Sequence, residues 1–462
     1  MTSTHVKYVY FLGIGGIGMS ALARWFNVNG YKVAGYDKTP TPLTIALQAE
    51  GMAVHFEEDI NQIPALFRAN PAETLVVYTP AVPRTHKEYL FLTVNGFTVQ
   101  KRSQVLGFLA GRMKTVGVAG THGKTTTSSM VAHLLRHAGV NCAAFLGGIT
   151  QNYGTNFLLN EPADDLSSVV CVVEADEFDR SFLTLFPQLA VVTSTDADHL
   201  DIYGDRNALL ESFGTYVSQI KPDGVLFMKR GLELAAETKA TIRSYALEDG
   251  TYHSRSLRIE DACFVFDLIH PQGTITEIRL TVPGFHNVEN AIVAAAVALE
   301  LGVSPSAIRD GLNSYRGVKR RFEYVLKTDK TVLIDDYAHH PTEVRAFLTS
   351  VKALYPDRDV TAVFQPHLFS RTRDFADEFG ESLSLADHVI LLDIYPAREL
   401  PIEGVTSELI FRSITAKAKT QCTKAELLGV LQKMKPSLVV TIGAGDIDQS
   451  LLAIKAQMLA NE

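Results

Sequence analysis

The sequence predicts an α/β protein of three domains. Short apolar runs that read as buried strands alternate with helical stretches along most of the chain, the pattern of parallel sheets. Two of the strand-to-helix junctions are glycine loops, at 13–18 and 120–125. At 462 residues the chain exceeds one ordinary core, and about 150 residues per domain gives three.

Bulk properties narrow the class. A hydrophobic content of 46% with 20% charged residues describes a soluble globular protein. The net charge of −8 gives no reason to expect a nucleic-acid partner. Cys142, Cys171, Cys263 and Cys422 are scattered without a C-x-x-C pair, as expected of reduced thiols in a cytoplasmic protein. Lys7, the run Tyr8 to Leu12 and Ala21-Leu22-Ala23 imitate a signal peptide, but glycines at 13, 15, 16 and 18 interrupt the apolar region. No run approaches the roughly 18 apolar residues of a membrane span, so no membrane insertion is expected.

The first domain is expected over 1–107 as a Rossmann-like unit. Val6 to Leu12 reads as a strand, Gly13-Ile14-Gly15-Gly16-Ile17-Gly18 as the turn, and Met19 to Phe26 as the helix. A second strand, Lys32 to Tyr36, ends in Asp37, placed to take a ribose hydroxyl. Taken alone, G-x-G-x-x-G suggests NAD and an oxidoreductase. The motif reports only a diphosphate at a helix N-terminus beside a sugar, which a UDP-sugar also supplies. Leu75 to Tyr78 reads as a third strand, and Lys101-Arg102 before the helix Ser103 to Ala110 reads as a solvated pair.

The second domain, expected over 108–317, opens on Val116 to Ala119 and the loop Gly120-Thr121-His122-Gly123-Lys124-Thr125-Thr126. Glycine backbone, a lysine and a hydroxyl between strand and helix form a phosphate-binding loop, with Thr125 placed to reach Mg²⁺. The general pattern wants a glycine at Val118; here the early glycine is Gly120. Ser167 to Val173 reads as a strand ending in Glu174-Ala175-Asp176-Glu177, and Leu189 to Thr193 as one ending near Asp196, Asp198 and His199. Ligands of open α/β sheets gather at such carboxyl ends, so loop, acid and histidine are expected on one rim. Alternation at Cys263–Ile269 and Thr274–Val282 predicts a β-rich lobe. Asn287 is placed to cap the alanine-rich helix from Ala291. The third domain, expected over 318–462 and again Rossmann-like, empties four strand ends onto one edge, at 335–342, 365–373, 393–396 and 443–446.

With these residues set out, the chain resembles a Mur ligase from end to end. The phosphate loop has the tighter form G-T-x-G-K-T-T found in that superfamily. Gly13 to Ser20, Glu174 to Glu177, Asp198-His199, Arg320-Arg321-Phe322, Asp335 to Pro341 and Phe364 to His367 carry the rest. The family commonly has Gly at Ala338, where a methyl is tolerated unless the backbone is left-handed.

The resemblance implies an amide-forming ligase that uses ATP and Mg²⁺ as cofactors, with UDP-N-acetylmuramate and L-alanine as substrates. It implies Lys124, Glu174 and His199 as catalytic residues, with Thr125, Glu174 and His199 as metal ligands. Nucleotide contacts are implied for the loop 120–126, Asn287, Asn290, Arg321 and Asp335. Substrate contacts are implied for Gly15, Gly16, Ile17, Gly18, Asp37, Tyr337, His340, Arg371 and Arg373. Three other readings remain at this stage: a ligase that attaches a tripeptide to the same sugar, an NAD-dependent oxidoreductase, and a P-loop switch protein.

Overall fold

A computed structural model describes residues 6–162, 165–197, 200–235, 237–397 and 399–461. Its contacts divide into two compact units, one of Met1–His253, Leu268–Ile275 and Asn290–Leu312, the other of Ser254–Asp267, Thr276–Glu289 and Asn313–Glu462.

In the first unit, β1 (Tyr8–Leu12), β2 (Lys32–Tyr36), β3 (Ala53–His55), β4 (Thr74–Tyr78) and β5 (Thr98–Lys101) form a sheet in the order β3-β2-β1-β4-β5. All its pairs are parallel. Crossovers run through α1 (Ile17–Val28), α2 (Pro42–Ala49), α3 (Ala65–Ala69) and α4 (Lys87–Val94). Strand order reverses at β1, so the glycine loop that follows it sits where an open sheet holds its ligand. α5 (Arg102–Ala110) leads into the second sheet.

That sheet contains β6 (Lys114–Ala119), β7 (Cys142–Phe145), β8 (Phe157–Leu159), β9 (Val170–Glu174), β10 (Leu189–Val192), β11 (Val225–Lys229) and β12 (Thr241–Tyr245). Its order is β12-β11-β10-β6-β9-β7-β8, parallel except for the β7–β8 hairpin. β6 lies between β9 and β10, which is why the phosphate loop, Glu174 and the segment after Val192 share a rim. α6 (Lys124–His137) follows the loop, with Thr125 to Leu135 buried. One hydrophobic cluster runs from Val9 and Phe11 through Leu106 and Leu109 to Cys171 and Phe213, so the two sheets share a continuous core. Burial of Cys142 and Cys171 pushes both thiols above their usual range, consistent with unreactive core residues.

The β-rich stretch is a three-stranded sheet of β13 (His253–Glu260), β14 (Cys263–His270) and β15 (Gly273–Leu280). In the second unit, β16 (Glu323–Lys327), β17 (Val332–Asp336), β18 (Thr361–Phe364), β19 (His388–Leu391), β20 (Ala418–Gln421) and β21 (Leu438–Ile442) pair in the order β16-β17-β21-β18-β19-β20. Only β16 is antiparallel. The expected four strand ends, after β17, β18, β19 and β21, therefore do lie on one edge. Ala338 is buried and absent from the left-handed positions, so its methyl is accommodated.

Candidate functional site

The apolar β6 run carries the chain to the sheet's rim, where two left-handed glycines turn it. Gly120 has φ 132° and Gly123 φ 80°. A Cβ at Gly120 would lie 2.1 Å from Thr193 Oγ1, so only hydrogen fits. The segment after β10 clasps the loop. Thr121 N donates to the Ser194 carbonyl at 3.2 Å and His122 N to Ser194 Oγ at 2.7 Å. Asp196 N donates to Thr121 Oγ1 at 3.1 Å, and the His122 ring lies 3.1 Å from the Asp196 carboxylate.

Lys124 opens α6 and folds back over the loop. Its Nζ donates to the Gly120 carbonyl at 2.8 Å and to Glu177 Oε1 at 2.9 Å. Burial opposes its charge, but Glu177, Asp176 and Glu174 outweigh that and hold Lys124 above the usual lysine range. Thr125 Oγ1 donates to both Glu174 oxygens, at 2.9 and 3.1 Å. A hydroxyl and a carboxylate at the end of a buried strand are hard oxygen donors of the kind Mg²⁺ takes beside phosphates. Among the described residues no group of three or more His, Cys, Asp or Glu side chains gathers as a metal cluster. The donor set therefore fits a cation whose other ligands come from phosphate and water. Asp198 and His199 lie outside the described residues. Thr126 is buried in the first turn, and Asn290 Oδ1 accepts from Thr127 Oγ1 at 3.1 Å, directly beside Gly123.

The second glycine loop stands on a cavity that Glu174 also lines. Gly16 precedes α1, leaving the first N–H groups of that helix to a ligand. A cavity of about 570 Å³ is lined by Gly15, Gly16, Ile17, Gly18 and Asp37 on one side and by Gly147, Glu174 and Asp176 on the other. Asp37 is not wholly free for a ribose, because its Oδ2 accepts from Gly15 N at 2.7 Å and steadies the loop. Two further residues line this cavity that the sequence did not point to. Arg102 corrects the solvated-pair reading: it lines the cavity, and a Cβ on Gly18 would meet its Nη1 at 2.7 Å. His86 lines the same cavity, 5% exposed, with no hydrogen-bond partner on either ring nitrogen among the described residues.

The second unit gathers some of the expected residues and turns others away. Tyr337 stacks under two guanidiniums, those of Arg320 and Arg321, each 5.1 Å from the ring centre. His340 is buried and accepts from Thr342 N at 3.3 Å, capping the next helix. Arg371 is buried, whereas Arg373 pairs with its neighbour Asp374 at 2.7 Å and is half exposed. Asp335 is fully buried, accepting from Thr441 Oγ1 at 2.6 Å and Arg320 Nε at 3.2 Å, so both oxygens are spent inside the domain rather than offered to a ribose. Asp336 holds the N–H groups of Phe322 and Ala338. Burial pushes its carboxyl up to about 7, with Arg321 opposing. Asn287 is not the cap, because its helix starts at Phe285; its amide instead donates back to the Pro283 carbonyl at 2.8 Å.

A phosphate-loop motif whose Thr125 holds Glu174, and a dinucleotide-type loop on the cavity that Glu174 also lines, are the features of a nucleotide-dependent enzyme. The chain belongs to the Mur ligase family. Residues 8–114 match the model described as Mur ligase family, catalytic domain, 118–298 the Mur ligase middle domain, and 320–445 the Mur ligase, glutamate ligase domain. It is 52% identical to the UDP-N-acetylmuramate–L-alanine ligase of Phocaeicola vulgatus, over 96% of both chains. It is 49% identical to that of Cytophaga hutchinsonii, over 98% of this chain and 97% of the relative. The crystal structure of UDP-N-acetylmuramate–alanine ligase from Thermotoga maritima superposes with a TM-score of 0.79 at 27% identity, covering 98% of this chain and all of that one.

Proposed function

We infer that this protein joins L-alanine to the carboxylate of UDP-N-acetylmuramate at the cost of ATP. The observation that carries the reading is the single cavity shared by Gly15–Gly18 and Glu174. A UDP-sugar whose diphosphate meets α1 extends from there toward the phosphate loop, where its carboxylate faces the ATP γ-phosphate. Relatives near 50% identity with the corresponding name support it. The supporting division of labour is 1–107 for the UDP-sugar, 108–317 for ATP and 318–462 for the amino acid. A cytoplasmic setting is part of the same reading.

In this reading a carboxylate oxygen attacks the γ-phosphorus, the bond to the β-phosphate oxygen breaks, and ADP leaves. The alanine amine then attacks the acyl carbon, loses a proton, and releases phosphate. Two anions must meet in the first step, so positive charge has to be fixed where the transition state is most negative. Lys124 and the N-terminus of α6 supply it from the chain. Thr125 and Glu174 would hold Mg²⁺, which supplies neutralising charge at the phosphates when bound. Asn290 and Arg321 are retained as nucleotide contacts, and Tyr337, His340 and Arg371 as contacts to the amino acid or the transferred phosphate.

Phosphate release measured with UDP-N-acetylmuramate and each of L-alanine, glycine, L-serine and the stem tripeptide tests the reading. The highest kcat/KM is expected with L-alanine. Release with the tripeptide but not with alanine would refute it.

A further inference from the structure

The turn of α1 that meets the diphosphate is gripped from the second sheet. Asn156, fully buried, donates from Nδ2 to the Ile17 carbonyl at 2.5 Å and to Ser20 Oγ at 3.0 Å, and its Oδ1 accepts from Arg24 Nη1. Arg24 is itself fixed by Glu50 at 2.8–2.9 Å. Asn156 stands at one foot of the loop that joins β7 to β8. That loop is closed on itself: Leu146 N donates to the Asn156 carbonyl at 2.9 Å, Thr150 N to Thr155 O at 2.9 Å, and Gly154 N to Thr150 O at 2.8 Å. Its other foot, Gly147, is pressed against Glu174, where a Cβ would lie 2.1 Å from Oε2.

One stiff loop therefore touches the cation-binding carboxylate at one foot and the diphosphate-binding helix at the other. We propose that loop 146–156 couples the two anion sites and that Asn156 is the positioning residue through which the coupling reaches α1. Fixing Glu174 beside a cation–nucleotide complex fixes Gly147, and through the closed loop it fixes the carbonyl and hydroxyl of the first α1 turn. The N–H groups of that turn are then held ready for the diphosphate. By linkage, the UDP-sugar tightens ATP binding by the same factor. The proposal rests on the ligase reading given above.

The test is calorimetric titration of the full-length protein with UDP-N-acetylmuramate, with and without saturating Mg²⁺ and a non-hydrolysable ATP analogue. The unaltered protein is expected to bind the UDP-sugar roughly 5-fold or more tightly when the analogue is present, the lower end of ordinary coupling. Asn156→Leu keeps the branched outline of the side chain and removes the grip. It should bind the analogue alone within about twofold of the unaltered protein, while the coupling factor falls toward one. Ser20→Ala removes only one of the two acceptors and should lower the factor partway; it replaces the leucine variant should that one fail to fold. An unchanged factor in a folded variant, or no coupling in the unaltered protein with both ligands binding singly, overturns the proposal alone. Failure of either ligand to bind the unaltered protein overturns the ligase reading and the proposal with it.

Discussion

Glu177→Gln isolates what the structure adds to the phosphate loop. In the resting protein the Lys124 ammonium is held at 2.8–2.9 Å by a carboxylate whose side chain is fully buried, while the lysine side chain is 12% exposed. Removing one partner of such a pair costs about 3–5 kcal/mol, because the remaining charge stays desolvated. Glutamine keeps the shape and one acceptor, and Lys124 keeps the Gly120 carbonyl. The expected loss is therefore smaller, about 2–3 kcal/mol, or on the order of 5 °C in melting temperature. ATP should change that number. Its phosphates supply the negative charge that the variant lacks, so a saturating non-hydrolysable analogue should stabilise Glu177→Gln more than the unaltered protein and narrow the gap. Thermal melts of both proteins, with and without the analogue and Mg²⁺, read this directly. A gap that stays the same at saturating analogue would refute the idea that Glu177 stands in for phosphate.

Lys124→Ala removes the other half of the same buried pair, so it should lose about 3–5 kcal/mol of stability; assayed where it remains folded, it should lower kcat by roughly 10²–10³, the cost of one transition-state charge contact, and near-normal turnover would exclude the loop from catalysis. Glu174→Gln should shift the Mg²⁺ titration of activity to higher concentration, since an amide oxygen is a poorer ligand for a hard cation. Gly147→Ala should do the same without touching a ligand, because the added methyl would lie 2.1 Å from Glu174 Oε2 and displace it. Burial pushes the Glu88 carboxyl up to about 7 despite the Tyr10 hydroxyl that donates to it at 2.5 Å, with His55, Glu58 and Asp59 around it. The folded state then binds the extra proton, so this contribution is present below the ordinary value of 4.5 and is lost as pH rises toward 7, up to about 3 kcal/mol. Melting temperatures across pH 5–8 should be flatter in Glu88→Gln, and identical slopes would refute the assignment.

How far the sequence carried depended on whether the signal was local. Both glycine loops were legible because glycine, lysine and threonine act on their own turn. The strand runs were legible because strands buried on both faces are continuously apolar. Glu177 was not singled out, since Glu174, Asp176 and Glu177 look alike on paper. The fold separates them: Glu174 ends β9 facing Thr125, while Glu177, just before the turn in which Asp179 and Arg180 adopt left-handed φ of 53° and 54°, accepts from Lys124. Lys101 and Arg102 read as one solvated pair, yet only Lys101 behaves so, pairing with Asp179 at 3.4 Å on the surface. Arg102 begins α5 and faces Gly18, a placement set by where the helix packs. For Asp335 and Asn287 the resemblance implied nucleotide contacts; the structure gives both Asp335 oxygens and the Asn287 amide hydrogen bonds inside the protein.

α5 shows why a boundary drawn from sequence and the physical joint differ. Position 107 lies inside this helix, and Val105, Leu106, Leu109 and Ala110 are buried in the cluster that runs under both sheets of the first unit. Gly107 packs so closely on the segment after β9 that a Cβ would lie 2.5 Å from the Thr184 carbonyl, and Thr184 Oγ1 donates to the Ser103 carbonyl at 3.0 Å. The helix therefore acts as a beam rather than a linker. Its first residue reaches the glycine loop at 13–18, and its middle is locked to the chain that leaves Glu174. A hydride-transfer enzyme needs one nucleotide loop and gains nothing from a second held at fixed distance. A ligase that must bring a sugar carboxylate onto a γ-phosphate needs that distance set before either substrate arrives, and a shared core with a shared helix sets it.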